Sequence, residues 1–248
     1  MIATMSGSWW VVPAPRPSAR LSLFCFPYAG GSATVYHKLA HGLPEVEVAS
    51  LQLPGRGFRL REPPIQRLEE LLPLVEAAIA PRLGRPYALF GHSMGALVAF
   101  ELARRLVAAG HAPPVHLFAS AAPAPRATRA LRVSPDLEAP EFWAAVHELY
   151  GTPAQVLADP ELLALVVPPL KNDFRLVAAY RHQPGPPLAT PVTSFYGSRD
   201  PVVDRAAAEA WREETTGAFA LHEVPGPHLY LQESGEAVLR VLRAALAG

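Results

Sequence analysis

The sequence predicts an α/β fold in which a mostly parallel, seven-stranded sheet is flanked by helices. Short apolar runs rich in β-forming residues alternate with longer segments of helical period, which is typical of a sheet covered by helices. Several runs, such as LSLFCF at 21–26, are continuously apolar, as expected of strands covered on both faces. A chain of 248 residues fits one domain of this class, so we expect a single domain, 1–248.

The predicted strands follow one another along the chain with helical segments between most of them. They lie at 9–12 (WWVV), 21–26 (LSLFCF), 46–53 (VEVASLQL), 87–90 (YALF), 115–120 (VHLFAS), 192–196 (VTSFY) and 218–224 (AFALHEV). The best-defined helix is predicted at 94–109, where Leu97, Leu102 and Leu106 share one apolar stripe. Gly110 is placed to end that helix, because glycine readily adopts the left-handed conformation found at helix C-termini.

The alternation of strands and helices stops between Pro123 and Pro187. This segment offers two helical stretches, EFWAAVHELYG and ELLALVVPPLKNDFRLVAAY, without a strand between them. We therefore predict an inserted helical lid at about 124–186 and a core at 1–123 and 187–248. An enlarged crossover is the alternative, but a crossover needs only roughly 10–15 residues. Four of its aromatic residues fit either a lid core or an acyl channel, namely Phe142, Trp143, Phe174 and Tyr180.

Composition and charge exclude several classes of protein. A net charge of +0 argues against a general nucleic-acid or membrane-surface binder, which would need a basic excess. The single cysteine, Cys25, excludes an internal disulfide or a cysteine-built metal site, and its place within a strand predicts a buried thiol. The chain shows neither a signal-peptide pattern nor an apolar run of the ~18 residues that a membrane span needs. We expect a cytoplasmic protein without a metal or cofactor.

The segment Gly91-His92-Ser93-Met94-Gly95 is the strongest functional signal. It follows the strand YALF and opens the helix at 94–109, which is the setting of a nucleophile elbow. The serine of such an elbow sits in a strained turn, where flanking glycines avoid collisions of a Cβ with the backbone. A GxSxG pattern also arises by chance, so the prediction depends on the strand and helix around it. We expect Ser93 to be a nucleophile.

A serine hydroxyl needs a histidine base to react at neutral pH, and that base needs an acid. The chain order at this kind of elbow is serine, acid, histidine. His228 lies in a loop directly after the seventh predicted strand, at the sheet edge where catalytic groups collect. His222 lies inside that strand and fits a structural role, whereas His182, at the end of the lid segment, would at most line an entrance. We expect His228 to be the base.

The acid is predicted to be Asp200. It lies in the loop GSRDP, which follows the sixth predicted strand at the same sheet edge. Asp204 is the nearby alternative, but it precedes a helical segment that begins at Arg205 and fits an N-cap. The loop AAPAPR after the preceding core strand carries no carboxylate.

An oxyanion hole requires two donors, and the elbow supplies the backbone N–H of Met94. The second donor is expected from the loop 27–32 (PYAGGS), here called the glycine loop, and we assign the backbone N–H of Ala29. An ordinary glycine turn is the alternative. A phosphate-binding loop fits less well, because the expected Lys-Ser/Thr pair is missing.

Three arginines, Arg56, Arg59 and Arg61, follow the third predicted strand in and after the motif PGRG. They fit solvated loop charge. The functional alternative is a contact with the phosphate of a carrier-bound substrate near the mouth of the site, since arginine binds phosphate well. Both interpretations remain open from the sequence.

Taken together, these segments resemble the type II thioesterases that accompany polyketide synthases and nonribosomal peptide synthetases, within the α/β-hydrolase superfamily. The likeness spans nearly the whole chain and is carried by FCFPYAGGSA at 24–33, LQLPGRGFR at 51–59, ALFGHSMGALVAFELARRL at 88–106, GSRDPVV at 197–203 and GPHLYL at 226–231. The resemblance implies Ser93 as nucleophile with Asp200 and His228 as partners, and Ala29 and Met94 as oxyanion donors. Ser32 and Pro227 depart from the family pattern without removing any of these groups.

The resemblance also implies an activity. A stand-alone enzyme of this kind hydrolyses acyl or aminoacyl thioesters from the phosphopantetheine arm of carrier proteins, clearing stalled or wrongly primed chains. The expected partners are acyl or peptidyl carrier domains, no nucleic acid or membrane is involved, and a monomer is expected. Three alternatives remain: a carboxylesterase of small oxygen esters, an acyltransferase with an acceptor other than water, and a catalytically silent carrier-binding module.

Overall fold

The computed structural model describes residues 8–127, 133–150 and 158–247. Its sheet has seven strands in the order β1-β3-β2-β4-β5-β6-β7. The strands are β1 (Trp10–Val11), β2 (Leu21–Phe26), β3 (Val46–Leu51), β4 (Tyr87–His92), β5 (His116–Ser120), β6 (Val192–Gly197) and β7 (Phe219–Val224). Every neighbouring pair is parallel except β1 with β3, which is antiparallel. The predicted seven-stranded, mostly parallel sheet is therefore confirmed.

Helices cover both faces of this sheet. They are α1 (His37–Gly42), α2 (Leu68–Ile79), α3 (Met94–Ala108), α4 (Ala139–Tyr150), α5 (Pro160–Ala179), α6 (Arg205–Glu209) and α7 (Leu231–Leu246). One apolar cluster joins β2, β4 and β5 to α2 and α3, and a second joins the same strands to α1 and α7. Because side chains alternate between the two faces of a strand, continuously apolar strands supply both clusters.

Two local predictions, the end of the strand at 87–90 and the end of α3, can be compared with the structure. The predicted strand 87–90 continues to His92, because Gly91 and His92 pair with Ala119 and Ser120 of β5. Helix α3 ends where Gly110 predicts, since Gly110 has a φ of +84° and donates its N–H to Val107 O at 3.0 Å.

The predicted cap on α6 is also present. Asp204 Oδ1 accepts a hydrogen bond from the Ala207 N–H at 2.7 Å, so this carboxylate satisfies the helix N-terminus. This contact gives Asp204 a local structural role and leaves Asp200 as the carboxylate for the histidine.

The segment between β5 and β6 contains α4 and α5, and its described residues contain no strand. These two helices form a separate apolar cluster around Phe142, Trp143 and Phe174. Tyr180 packs instead with the core, where its hydroxyl donates to Glu101 Oε1 at 2.7 Å. The two helices lie where the sequence predicts them, and the division into a core and an inserted lid stays a prediction. No helix in the described parts of the chain is long and apolar enough to cross a membrane.

Candidate active site

The elbow lies at the carboxyl end of β4. Ser93 has φ 54° and ψ −119°, outside the regions that side chains favour, and α3 begins at the next residue. A Cβ at Gly91 would lie 2.2 Å from Gly95 O, and one at Gly95 would lie 2.0 Å from Phe26 O. Both positions therefore require glycine. The close packing of β2, β4 and α3 maintains this strained turn and places Ser93 at the carboxyl edge of the sheet.

The structure brings Ser93, His228 and Asp200 together in one hydrogen-bonded row. His228 Nε2 lies 2.9 Å from Ser93 Oγ, and His228 Nδ1 lies 2.8 Å from Asp200 Oδ2. An ionised carboxylate can only accept, so Nδ1 carries the proton and Nε2 of the neutral ring accepts from the serine hydroxyl. The second oxygen of Asp200 accepts from the backbone N–H groups of Val202 and Val203, at 2.8 and 3.1 Å. The carboxylate is thereby fixed in the orientation that the histidine needs.

A second buried histidine, His92, supports this row through a hydrogen bond to the backbone of His228. Its Nε2 lies 2.9 Å from the backbone oxygen of His228 and must donate to it. Its Nδ1 then accepts from Ser120 Oγ at 2.9 Å, and Ser120 in turn accepts from the Tyr230 hydroxyl at 2.6 Å. Burial, with a smaller contribution from His228, lowers the pKa of His92 to about 3. His92 therefore stays neutral and holds the loop that carries His228.

This role of His92 is not predicted by the sequence motif, in which His92 is only a member of the elbow. The available signal is its position at the end of β4, which is buried along its whole length, so that a polar side chain there needs hydrogen-bond partners inside the protein. Which groups it meets there depends on β5 and on the loop at 225–230, which local sequence does not specify.

We expect the depressed pKa of His92 to make folding stability depend on pH. Between about pH 3 and 6.5 the unfolded chain binds a proton at His92 that the folded chain does not, so the free energy of unfolding rises with pH in this window. One such proton contributes up to about 1.4 kcal/mol per pH unit. His92→Gln should reduce this slope in urea unfolding measured across that range. His116 and His222, whose pKa values are also lowered by burial, remain in both proteins as an internal reference. An unchanged slope would contradict the assignment.

Both predicted oxyanion residues lie beside Ser93. Ala29 comes from the glycine loop after β2, and Met94 is the first residue of α3. Both line the same cavity as Ser93 and His228. The glycine loop is closed by a hydrogen bond from the Gly31 N–H to Tyr28 O at 2.8 Å, and Gly30 adopts a φ of +77°. Both residues thus border the space next to Ser93, and the oxyanion roles of their backbone N–H groups stay a prediction.

The cavity above Ser93 has a volume of about 520 Å³. Its walls are mostly apolar and come from the sheet edge and from helices α3, α4 and α5, with Leu97, Val146, Leu170, Phe174 and Val177 among the lining residues. Tyr150 packs edge-on against the ring of His228, with centroids 4.9 Å apart. Of the lid aromatics, Phe174 thus belongs both to the lid cluster and to the cavity wall, whereas Phe142 and Trp143 pack within the lid cluster.

The structure corrects the expectation for two of the three arginines. Arg56 is buried and binds Asp173 of α5 through both terminal nitrogens, at 2.5 and 2.7 Å. Arg59 is also buried, pairs with Glu62, and lies 4.0 Å from the centre of the Trp9 ring. Their guanidinium groups are bonded inside the protein, so a contact with a carrier phosphate is wrong for both. Arg61 is exposed and its carrier contact stays a prediction.

The remaining candidate side chains have structural settings. Cys25 is fully buried in β2, and burial raises the pKa of its thiol. His222 stacks on Phe195 within the sheet, as its place in a strand predicts. His182 lies 3.3 Å from the Tyr180 hydroxyl, beyond the end of α5. Among the residues that the structure describes, no group of three histidine, cysteine or carboxylate side chains is arranged to hold a metal ion.

Comparison with known proteins places this geometry in context. The family model described as a thioesterase domain matches residues 22–246. The gramicidin S biosynthesis protein GrsT of Aneurinibacillus migulanus is 38% identical over 244 residues, which cover 96% of this chain and 95% of that protein. Thioesterase PikA5 of Streptomyces venezuelae is 39% identical over 231 residues, covering 92% of this chain and 82% of PikA5.

Solved structures agree with the sequence relatives. The type II thioesterase BorB of the borrelidin biosynthetic cluster superposes with a TM-score of 0.88 at 40% identity, covering 96% of this chain and 97% of BorB. The thioesterase RedJ of the prodiginine pathway in Streptomyces coelicolor superposes with a TM-score of 0.88 at 37% identity, covering 95% of this chain and 96% of RedJ. The relatives and the solved structures therefore match nearly the whole chain, lid segment included.

Proposed function

Because this chain belongs to the thioesterase family, we propose that it is a type II thioesterase that hydrolyses acyl or aminoacyl thioesters on the phosphopantetheine arm of carrier proteins. The similar proteins support this reaction class, since BorB is a type II thioesterase of a biosynthetic cluster, PikA5 is a thioesterase and GrsT is a gramicidin S biosynthesis protein. The single observation that carries the proposal is the row Asp200–His228–Ser93, which ends at the floor of an apolar cavity.

The proposed reaction starts with attack of Ser93 Oγ on the thioester carbonyl. His228 Nε2 takes the hydroxyl proton, and the resulting imidazolium is stabilised by Asp200. The backbone N–H groups of Ala29 and Met94 stabilise the negative charge on the carbonyl oxygen, aided by the N-terminus of α3. The tetrahedral intermediate collapses, the C–S bond breaks, and the pantetheine sulfur leaves with the proton from His228.

The acyl-enzyme is then released by water. His228 removes a proton from a water molecule, whose oxygen attacks the ester carbonyl on Ser93. Collapse of the second intermediate returns the proton to Ser93 Oγ and frees the carboxylic acid. All groups in this scheme come from one chain and none requires a bound cofactor, so we propose a monomeric enzyme that needs none.

The apolar walls of the cavity favour an acyl group with a hydrocarbon portion over a small, charged one. Removing apolar surface from water contributes roughly 0.8 kcal/mol per buried methylene, so residues such as Leu170, Phe174 and Val177 would retain a chain while Ser93 reacts. The same shape also accommodates small oxygen esters, so a general carboxylesterase is the second candidate.

A matched pair of substrates distinguishes the candidates. An acyl-pantetheine and the oxygen ester with the same acyl group and the same leaving-arm length should differ in kcat/KM in favour of the thioester. Faster turnover of the oxygen ester would support the carboxylesterase. Labelling of Ser93 by a fluorophosphonate tests the silent-module alternative, since an inert site would not react. Product analysis with added alcohols and amines tests an acceptor other than water.

The carrier contact of Arg61 is tested by its dependence on the carrier. Arg61 is exposed and has the exposed side chains of Phe58 and Leu60 beside it in the chain, a setting that suits an acidic protein with an apolar patch. Arg61→Ala should raise KM for a carrier-bound thioester by roughly threefold or more, as loss of a rim charge does, and leave free acyl-pantetheine unaffected. Arg240→Ala, at an exposed position of α7, is the charge-matched control. Equal effects on both substrates would show that Arg61 is ordinary solvated charge.

A further inference from the structure

A buried ion pair lies beside the active site and has no part in the reaction scheme. Arg56, in the loop after β3, and Asp173, in the second half of α5, form two parallel hydrogen bonds of 2.5 and 2.7 Å. Their side chains are only 7% and 2% exposed. The pair therefore joins the core to the lid helix, at two positions separated by 117 residues.

Both members of the pair also bind the glycine loop. Asp173 Oδ2 accepts the Gly30 N–H at 2.7 Å, and Arg56 Nη1 donates to Gly31 O at 3.2 Å. Gly30 immediately follows Ala29, so its hydrogen bond fixes the peptide plane next to the predicted oxyanion donor. The Asp173 carboxylate thus binds an N–H group of the loop, and the Arg56 guanidinium binds a carbonyl oxygen of the same loop.

Neighbouring contacts leave this arrangement little freedom. Gln52 accepts the Ala33 N–H at 3.1 Å and donates to Arg56 O at 3.0 Å, which ties the end of the glycine loop to the loop that carries Arg56. Leu170, one turn before Asp173, packs on Gly30 so closely that an added Cβ would lie 2.8 Å from its Cδ1. A displacement of α5 would therefore be transmitted to Gly30.

Burial of two charges is costly, and apolar residues of similar volume usually attach a helix to a core at least as well. Apolar contacts, however, cannot set the direction of a peptide N–H, whereas a bidentate pair with two backbone contacts can. The energetic cost is therefore better explained by the alignment of the glycine loop than by attachment of the lid.

We propose that Arg56 and Asp173 are positioning residues that align the glycine loop for oxyanion stabilisation and make this alignment depend on the seating of α5. This inference rests on the proposed function, because it concerns the oxyanion of the thioester reaction. Neither side chain lines the cavity around Ser93, so both act through the backbone of the loop.

Asp173→Asn tests the proposal, because it preserves the size of the side chain and removes the charge that orders Arg56. We expect kcat with acyl-pantetheine to fall roughly 10- to 100-fold, less than the roughly 10²–10³-fold loss that removal of one oxyanion donor causes, with little change in KM. Affinity for a trifluoromethyl ketone analogue, which forms an oxyanion on Ser93, should fall by the same factor as kcat/KM. Affinity for the thioether analogue, which has no carbonyl at that position, should be unchanged.

Glu62→Gln is the matched control, since it neutralises the partner of Arg59 in the neighbouring ion pair without a contact to the glycine loop. Glu62→Gln should leave the ratio of the affinities for the ketone and the thioether analogues at the wild-type value. If Asp173→Asn does not fold, Arg56→Lys gives the same measurement, because lysine keeps the charge and loses the two-pronged geometry.

Two results would overturn the proposal: wild-type kcat and ketone affinity in Asp173→Asn, or equal loss of affinity for the ketone and the thioether. Failure of the proposed function is distinct, because it would be seen as a wild-type protein that does not hydrolyse acyl-pantetheine at all.

Discussion

Ser93→Ala is expected to lower kcat for thioester hydrolysis by roughly 10⁴-fold or more, because the substitution removes the only nucleophile of the hydrogen-bonded row. Residual turnover would come from the oxyanion donors and from binding alone. The fold should persist, since alanine keeps the Cβ and loses a single hydrogen bond to His228. Release of pantetheine thiol from acyl-pantetheine measures the rate, and thermal unfolding measures the fold.

The control for this substitution is Ser18→Ala, at an exposed position in the loop between β1 and β2. It should retain the wild-type rate. Ser93→Ala should also fail to react with a fluorophosphonate that labels the wild-type protein. A Ser93→Ala protein that hydrolyses acyl-pantetheine at the wild-type rate would show that the chemistry lies elsewhere.

Gly95→Ala should have the largest effect on stability. A Cβ at this position would lie 2.0 Å from Phe26 O, and Phe26 is held within the sheet by its pairing with Gly91 of β4. Neither β2 nor the elbow at the end of β4 can move away without breaking the hydrogen bonds between β2 and β4. We expect the free energy of unfolding to fall by about 3 kcal/mol or more, as measured by urea unfolding.

Gly235→Ala is the matched control for that experiment. Gly235 lies in α7, where an added Cβ meets no atom within 4 Å. Ser234 interrupts the helical backbone just before Gly235, so the gain from alanine is smaller than the roughly 1 kcal/mol of a helix interior, and this variant should be about as stable as the wild type. Equal stability of Gly95→Ala and Gly235→Ala would contradict the close approach of the elbow to β2.

The hydrogen-bonded row of Ser93, His228 and Asp200 could be predicted from the sequence for a topological reason. Ser93, Asp200 and His228 each follow a strand, and the carboxyl ends of parallel strands meet at one edge of the sheet. Once the strands were recognised from their apolar runs, side chains separated by more than 100 residues had to lie at that edge. The prediction therefore requires no knowledge of the distances between these three side chains in space.

The arginine motif could not be interpreted in the same way. Arg56 lies in a glycine- and proline-rich loop, where charge is usually solvated, and its burial depends on Asp173 in a helix 117 residues away. No local pattern specifies such a partner, because the position of α5 over the core is decided by packing of the lid segment. The role of His92 escaped prediction for the same reason, since Ser120 and the His228 backbone reach it only in the folded sheet.

Hydrolysis of carrier-bound thioesters through Ser93 is tested most directly by intact-mass analysis of a carrier protein loaded with an acyl group on its phosphopantetheine arm. After incubation with the wild-type protein, the carrier should lose the mass of the acyl group and gain a free thiol. Incubation with Ser93→Ala should leave the loaded mass unchanged. An acyl group that stays on the carrier in the presence of wild-type protein, or that is removed equally by Ser93→Ala, would contradict hydrolysis of carrier-bound thioesters through Ser93.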